Sequence, residues 1–159
     1  MKINPFIIII YLGLFYFCNE PSAKADLKSD YIIFGHFYGF CQGENCIEIF
    51  KLTESKLYED VADNYPTSTH PYEGNFTEMD NEKLQLIKAL ADNIPQELLS
   101  EQDTVIGSPD AADGGGIYIA IKNDDGTRFW LIDQMKFNVP DYLHSFMDEI
   151  NNSISLISD

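Results

Sequence analysis

The chain has 159 residues, 10 Lys and Arg against 26 Asp and Glu, a formal net charge of −16 and 45% hydrophobic residues. That length supports one core rather than two. The apolar and aromatic content is too high for a disordered chain, and the acidic excess argues against nucleic acid, because gripping phosphate backbones takes clustered Lys and Arg.

Residues 1–25 read as an export signal: a positive start at Lys2, an apolar run from Pro5 to Cys18, and a small-residue end at Ala23-Lys24-Ala25. Cleavage after Ala25 leaves a single domain over 26–159. The apolar run is 14 residues long, whereas spanning a bilayer as a helix takes roughly 20, so no membrane span is expected once the signal is removed. Lipid attachment at Cys18 is the competing reading, set against the bulky Phe17 before it. Losing Lys2, Lys24 and Glu20 leaves the mature chain slightly more acidic.

The run YIIFGHFY from Tyr31 to Tyr38 is β-branched and aromatic at odd and even positions alike. It predicts a strand covered on both faces. CIEIFKL at 46–52 and KLYEDV at 56–61 predict two more strands in a meander. The segment 61–75, VADNYPTSTHPYEGN, carries turn residues and no apolar period; it reads as an exposed connection. A helix is expected over 80–93, with Thr77 and Asp80 as capping candidates and Leu84, Ile87, Leu90, Ala91 and Ile94 on one stripe. Pro95 stops it, and a short helical turn at 96–101 can follow.

IYIAIK at 117–122 puts three isoleucines on one face and Tyr118, Ala120 and Lys122 on the other. The turn Asn123-Asp124-Asp125-Gly126 predicts a hairpin. A type I′ turn at Asp125-Gly126 sets Ile121 opposite Trp130; a four-residue loop sets Ile119 there. Either way Trp130 belongs to the isoleucine face, and Phe129 shares the face of Tyr118. A final helix starts near Pro140, with Leu143, Phe146, Ile150, Ile154 and Ile157 on its stripe. The order β-β-β-α-β-β-α predicts an α+β domain, an antiparallel sheet of about five strands with helices on one face.

In an exported chain Cys41 and Cys46 are the two remaining thiols, and the four residues between them can form a bend, so a structural disulfide is expected. The stretch Gly39–Asp60, GFCQGENCIEIFKLTESKLYED, resembles small exported bacterial proteins that pair a Cys-x-Gly-x-Cys hairpin with a strand ending in an acidic residue. Here one extra residue precedes the second cysteine, and Ile47 stands where that pattern often has proline. The resemblance implies export and an α+β fold; it implies no activity.

The loop Asp110–Gly116, DAADGGG, is the first candidate for a functional surface: Gly114, Gly115 and Gly116 imply unusual dihedrals or a close approach to backbone. Asp110 and Asp113 offer hard oxygen ligands for calcium, but the spacing is not that of a twelve-residue calcium loop. A phosphate cradle would need a following helix and a Lys. His36, His70 and His144 lack ligand spacing, so zinc has no support, and no Gly-x-Ser-x-Gly elbow occurs. No metal or other cofactor is expected.

Two function classes stay open. One is a non-catalytic binding domain for a protein or small molecule, using Asp110, Asp113, Gly114, Gly115, Gly116, Tyr118 and Phe129. The other is a hydrolase built on scattered carboxylates, Glu48, Glu59 and Asp133, with His36. A structural envelope protein is a third possibility.

Overall fold

The computed structural model describes residues 29–158; the export signal and Cys18 lie outside the described residues. The fold is α+β. Strands β1 (Tyr31–Phe37), β2 (Ile47–Leu52), β3 (Leu57–Asp60) and β4 (Phe76–Glu78) precede two short helices, α1 (Asn81–Ile87) and α2 (Gln96–Ser100). Then come β5 (Val105–Ile106), β6 (Gly116–Asn123), β7 (Gly126–Asp133) and α3 (His144–Ile157). They form one seven-stranded sheet in the order β4-β3-β2-β1-β6-β7-β5.

β1 lies at the centre, antiparallel to β2 and β6. Its even positions Ile32 and Phe34 join one apolar cluster and its odd positions Ile33 and Phe37 the other, as the lack of alternation predicted. The larger cluster unites Phe34, Phe50, Ile119 and Trp130 with Leu84 of α1, Leu98 of α2 and Ile150 of α3. All helices therefore pack on that face, and each residue of the predicted α3 stripe is buried.

The expected five antiparallel strands become seven in a mixed sheet. β4 has three residues and β5 two, too short to show alternation, and β5 runs parallel to β7. The long helix over 80–93 is instead a two-turn α1 that tightens into a 3-10 segment over Lys88–Asn93. The spacing explains it: Leu84, Ile87 and Leu90 recur every three residues, the period of a 3-10 helix. Asp80 occupies the N-cap with no side-chain cap bond, and Thr77 belongs to β4.

In the β6–β7 hairpin Ile119 faces Trp130 and Asn123 closes on Gly126. The loop residues are thus Asp124 and Asp125, and neither has positive φ; only Gly126 does, at 133°. A type I′ turn is therefore overturned. The Asn123 side chain accepts the amide of Asp125 at 3.0 Å, a local turn that competes with the type I′ geometry.

Among the described residues no helix is long and apolar enough to cross a membrane.

Candidate functional site

β1, β3 and β7 end, and β2 and β6 begin, at the same edge of the fold, so the connections 38–46, 61–75, 107–115 and 134–139 gather at one end of the sheet. Three aspartates tie them down.

Asp60, buried at the end of β3, accepts the Tyr72 hydroxyl and the backbone amides of Asp63 and Asn75. Tyr72 in turn accepts the amide of Asn64 at 3.1 Å and gives its own amide to the Tyr118 hydroxyl at 2.8 Å. Segment 61–75 is therefore a strap across the sheet, with Pro66 and Tyr72 buried and most of its other residues exposed. Burial, then the bond to Asp60, holds the Tyr72 phenol well above its usual range, and burial raises Tyr118 to about 12. Both phenols remain neutral across ordinary pH, Tyr72 donating to Asp60 and Tyr118 accepting the Tyr72 amide.

Asp110 joins three loops. Its Oδ2 accepts the Gly39 amide at 2.9 Å and the Tyr65 hydroxyl at 2.7 Å, while Oδ1 accepts the Gly115 amide at 3.1 Å. Partial burial opposes its charge, but the bonds from Tyr65, Gly39 and Gly115 outweigh that and hold its carboxyl below the usual range. Asp110, Ala112 and Asp113 all adopt left-handed backbone, with φ of 59°, 51° and 61°. Such conformations cost about 1–2 kcal/mol each for residues with a Cβ, so the carboxylate bonds hold the loop in a shape it would not take alone.

Asp133, at the end of β7, accepts the amides of Met135 at 2.8 Å and Ser108 at 3.1 Å and the Asn138 side chain at 2.7 Å.

The predicted site residues divide. Asp113 is exposed, and Asp110, Gly114 and Phe129 are partly so. Gly115 and Gly116 are buried, and the close approach expected at the glycines is made by the chain itself. A Cβ on Gly115 would stand 2.2 Å from the Tyr38 ring, and one on Gly116 2.2 Å from the Phe37 ring. Tyr118 is fully buried under the strap, which corrects its place on an open binding face: the polar composition of 61–75 concealed the two side chains that dock it. Phe129 stacks against Tyr118 at 6.1 Å between ring centroids. Asp110 commits its carboxylate to three donors of its own chain, and among the described residues no group of three or more His, Cys, Asp or Glu is placed to hold a metal ion.

Cys41 and Cys46 stand at disulfide distance, S–S 2.05 Å, and Cys46 returns the chain to β1 through its carbonyl, which accepts the Tyr38 amide at 2.9 Å.

The residues of the hydrolase reading divide: Glu48 and Glu59 line one open pocket together with Asp60, and Asp133 is not part of it. His36 and Glu48 are cross-strand neighbours on the helix-bearing face. Glu48 accepts the Ser158 hydroxyl, and His36 bonds the Asn45 carbonyl at 3.2 Å. Asp133 follows Ile132, a residue of the helix face, and so falls on the opposite face by register. Glu59 lies on β3 opposite Phe50 and Thr77.

Sequence reasoning missed Asp60, Tyr65 and Tyr72, whose roles rest on long-range bonds. It also missed Phe40 and Phe137, 83% and 82% exposed. The signal for these two was present: each is an aromatic residue in a turn-rich loop, outside any apolar period. Among known proteins, no family model matches the chain and no curated protein does so significantly.

Proposed function

We propose that the chain is an exported bacterial protein, kin to the small proteins with a cysteine-closed hairpin, that acts by binding rather than catalysis through the loop end of its sheet. One observation carries this. Of the large apolar side chains left exposed among the described residues, Phe40, Val61, Tyr65, Met135 and Phe137 lie in connections at that one end. Isolated exposed apolar residues are ordinary, but their concentration on loops fixed to a rigid sheet is what binding surfaces look like. The buried carboxylates Asp60 and Asp133 and the partly buried Asp110 serve as acceptors for the protein's own loops.

Export is supported by the signal-like first 25 residues together with the cysteine pair, which persists in oxidising compartments. The native mass then begins at Asp26; acylation at Cys18 would instead make this an envelope lipoprotein with the same binding end.

A photoreactive phenylalanine in place of Phe40 or Phe137, introduced in the exporting cell, is expected to give a discrete adduct. The same group at Leu86, exposed on α1, is expected to give none. Equal labelling at all three positions, or turnover of ester, glycoside or peptide substrates by the purified protein, would overturn the proposal.

A further inference from the structure

The loop end has a chemistry as well as a shape. Loops 38–46, 61–75 and 107–115 carry the exposed residues Asp63, Glu73 and Asp113, besides the Asp110 that ties the loops together, and no Lys or Arg. The nearest cation in the adjoining connection, Lys136, is held by Asp148 at 2.5 Å. The apolar residues are joined through the same loops. Phe40 follows Gly39, whose amide is bonded to Asp110. Gly114 lies against Met135, since a Cβ there would be 3.1 Å from the Met135 methyl carbon, and Phe137 is two residues further on. One path therefore runs Phe40, Asp110, Gly114, Met135, Phe137. It crosses the ends of β1, β6 and β7, about 10 Å at the usual strand spacing.

We infer that the loop end docks a cationic polypeptide segment, one whose Lys or Arg side chains meet the loop carboxylates while its apolar side chains cover Phe40 and Phe137. This rests on the binding reading above and names its partner class. Charge complementarity selects it: phosphate backbones, anionic lipid surfaces and a second copy of this acidic chain are all repelled by such a surface. The apolar residues set the surface apart from a merely solvated acidic one, because aromatic anchors supply affinity whereas rim charges chiefly supply encounter rate and exclusion of wrong partners. The loops arrive preformed, pinned by Asp60, Asp110 and Asp133, so little ordering is lost on docking.

The test is an amide-resolved NMR titration of the whole protein with three twelve-residue peptides. One alternates Lys with Phe and Leu; the second replaces each Lys by Glu; the third keeps the Lys and replaces each apolar residue by Ser. A neutral glucan oligosaccharide is the fourth probe. Only the first is expected to bind, with shifts confined to 39–41, 110–115 and 135–138. The double variant Phe40→Ser, Phe137→Ser is expected to weaken it about tenfold, which is about 1.4 kcal/mol. Raising salt from about 0.02 to 0.3 M is expected to weaken it by a similar factor as the Debye length shortens.

If the Glu peptide or the oligosaccharide binds at Phe40 and Phe137, the loop end stands as a binding surface and the cationic partner is overturned. Equal binding by the Ser peptide, which shows bulk charge alone, also overturns the inference. If the first peptide perturbs only residues away from the loop end, or nothing binds, the binding reading falls with it.

Discussion

The two faces of the sheet are closed by different physics. On one, α1, α2 and α3 lay their apolar stripes over Phe34, Phe50, Ile119 and Trp130, and the attraction is area removed from water, non-directional and tolerant of small shifts. On the other, a strap with few apolar side chains is held by Tyr72, Tyr118 and Asp60 through hydrogen bonds whose donors and acceptors must meet in one geometry. The helix face thus decides whether the domain folds. The strap face decides what shape the loop end has.

The sharpest way to break the helix face is Trp130→Ala. Trp130 is 1% exposed at the core centre, so the loss is expected at about 3–5 kcal/mol, in the range for large aromatic truncations. Denaturant unfolding followed by circular dichroism should show it as a lower midpoint, the variant having lost the chain's one tryptophan as a fluorescence probe. A small loss there would mean the two faces are not unequal after all.

Asp60→Ala attacks the other side. It leaves the Tyr72 hydroxyl and the Asp63 and Asn75 amides without their acceptor, at an expected total of about 3 kcal/mol because each buried orphan donor costs about 1–3 and water reaches part of the strap. The diagnostic is locality: amide exchange should accelerate over 61–75 while β1 and α3 stay protected. Uniform acceleration would show that the strap and the helix face are one cooperative unit.

The smallest effect separates the loop end from the strap face by pH. The Asp110 carboxyl is held below its ordinary value when folded, so between the folded and unfolded values the unfolded chain binds more protons. Its contribution is present above the unfolded pKa and fades as pH falls through the folded one. Tyr118 has the opposite sense: its folded value of about 12 lies above the unfolded one, so its contribution is present below about 10 and is lost as pH rises toward 12. In Asp110→Asn, acid sensitivity below about pH 4 should diminish, as followed by thermal melts across pH, and the Tyr65 phenol, raised by burial and by its bond to Asp110, should move back toward its ordinary range. An unaltered acid limb would remove Asp110 from the account of loop rigidity.

The helix face was the more legible in sequence for the same reason it is the more robust. Ile117, Ile119 and Ile121, or Leu143 through Ile157, announce a buried stripe by period alone, and each lies where that period puts it. The strap face has no such period. Its key bonds link residues 46 apart, in Tyr72 to Tyr118, or 71 apart, in Gly39 to Asp110, and a hydrogen bond leaves no periodic mark in composition. Turn chemistry was half legible: Asp124, Asp125 and Gly126 named the hairpin, but the Asn123 side chain chose the turn type. The glycines of 114–116 imply unusual dihedrals or a close approach to backbone. Gly115 shows both, with φ of 75° and the Tyr38 ring against it, while Met135 and Phe37 are the close neighbours of Gly114 and Gly116. Charge gave the acidity of the loop end, but only the fold shows Phe40 and Phe137 standing out of the same surface.

The two outermost strands carry a further consequence. β4 offers three residues of ladder and β5 two, and Glu78 on β4 pairs with Lys56 at 2.6 Å across its flank. A neighbouring molecule seeking to add its own backbone would find too few free amides and carbonyls to align against, and a charge in the way. A sheet this wide is thereby protected from growing into fibrils at high concentration, without needing to close into a barrel.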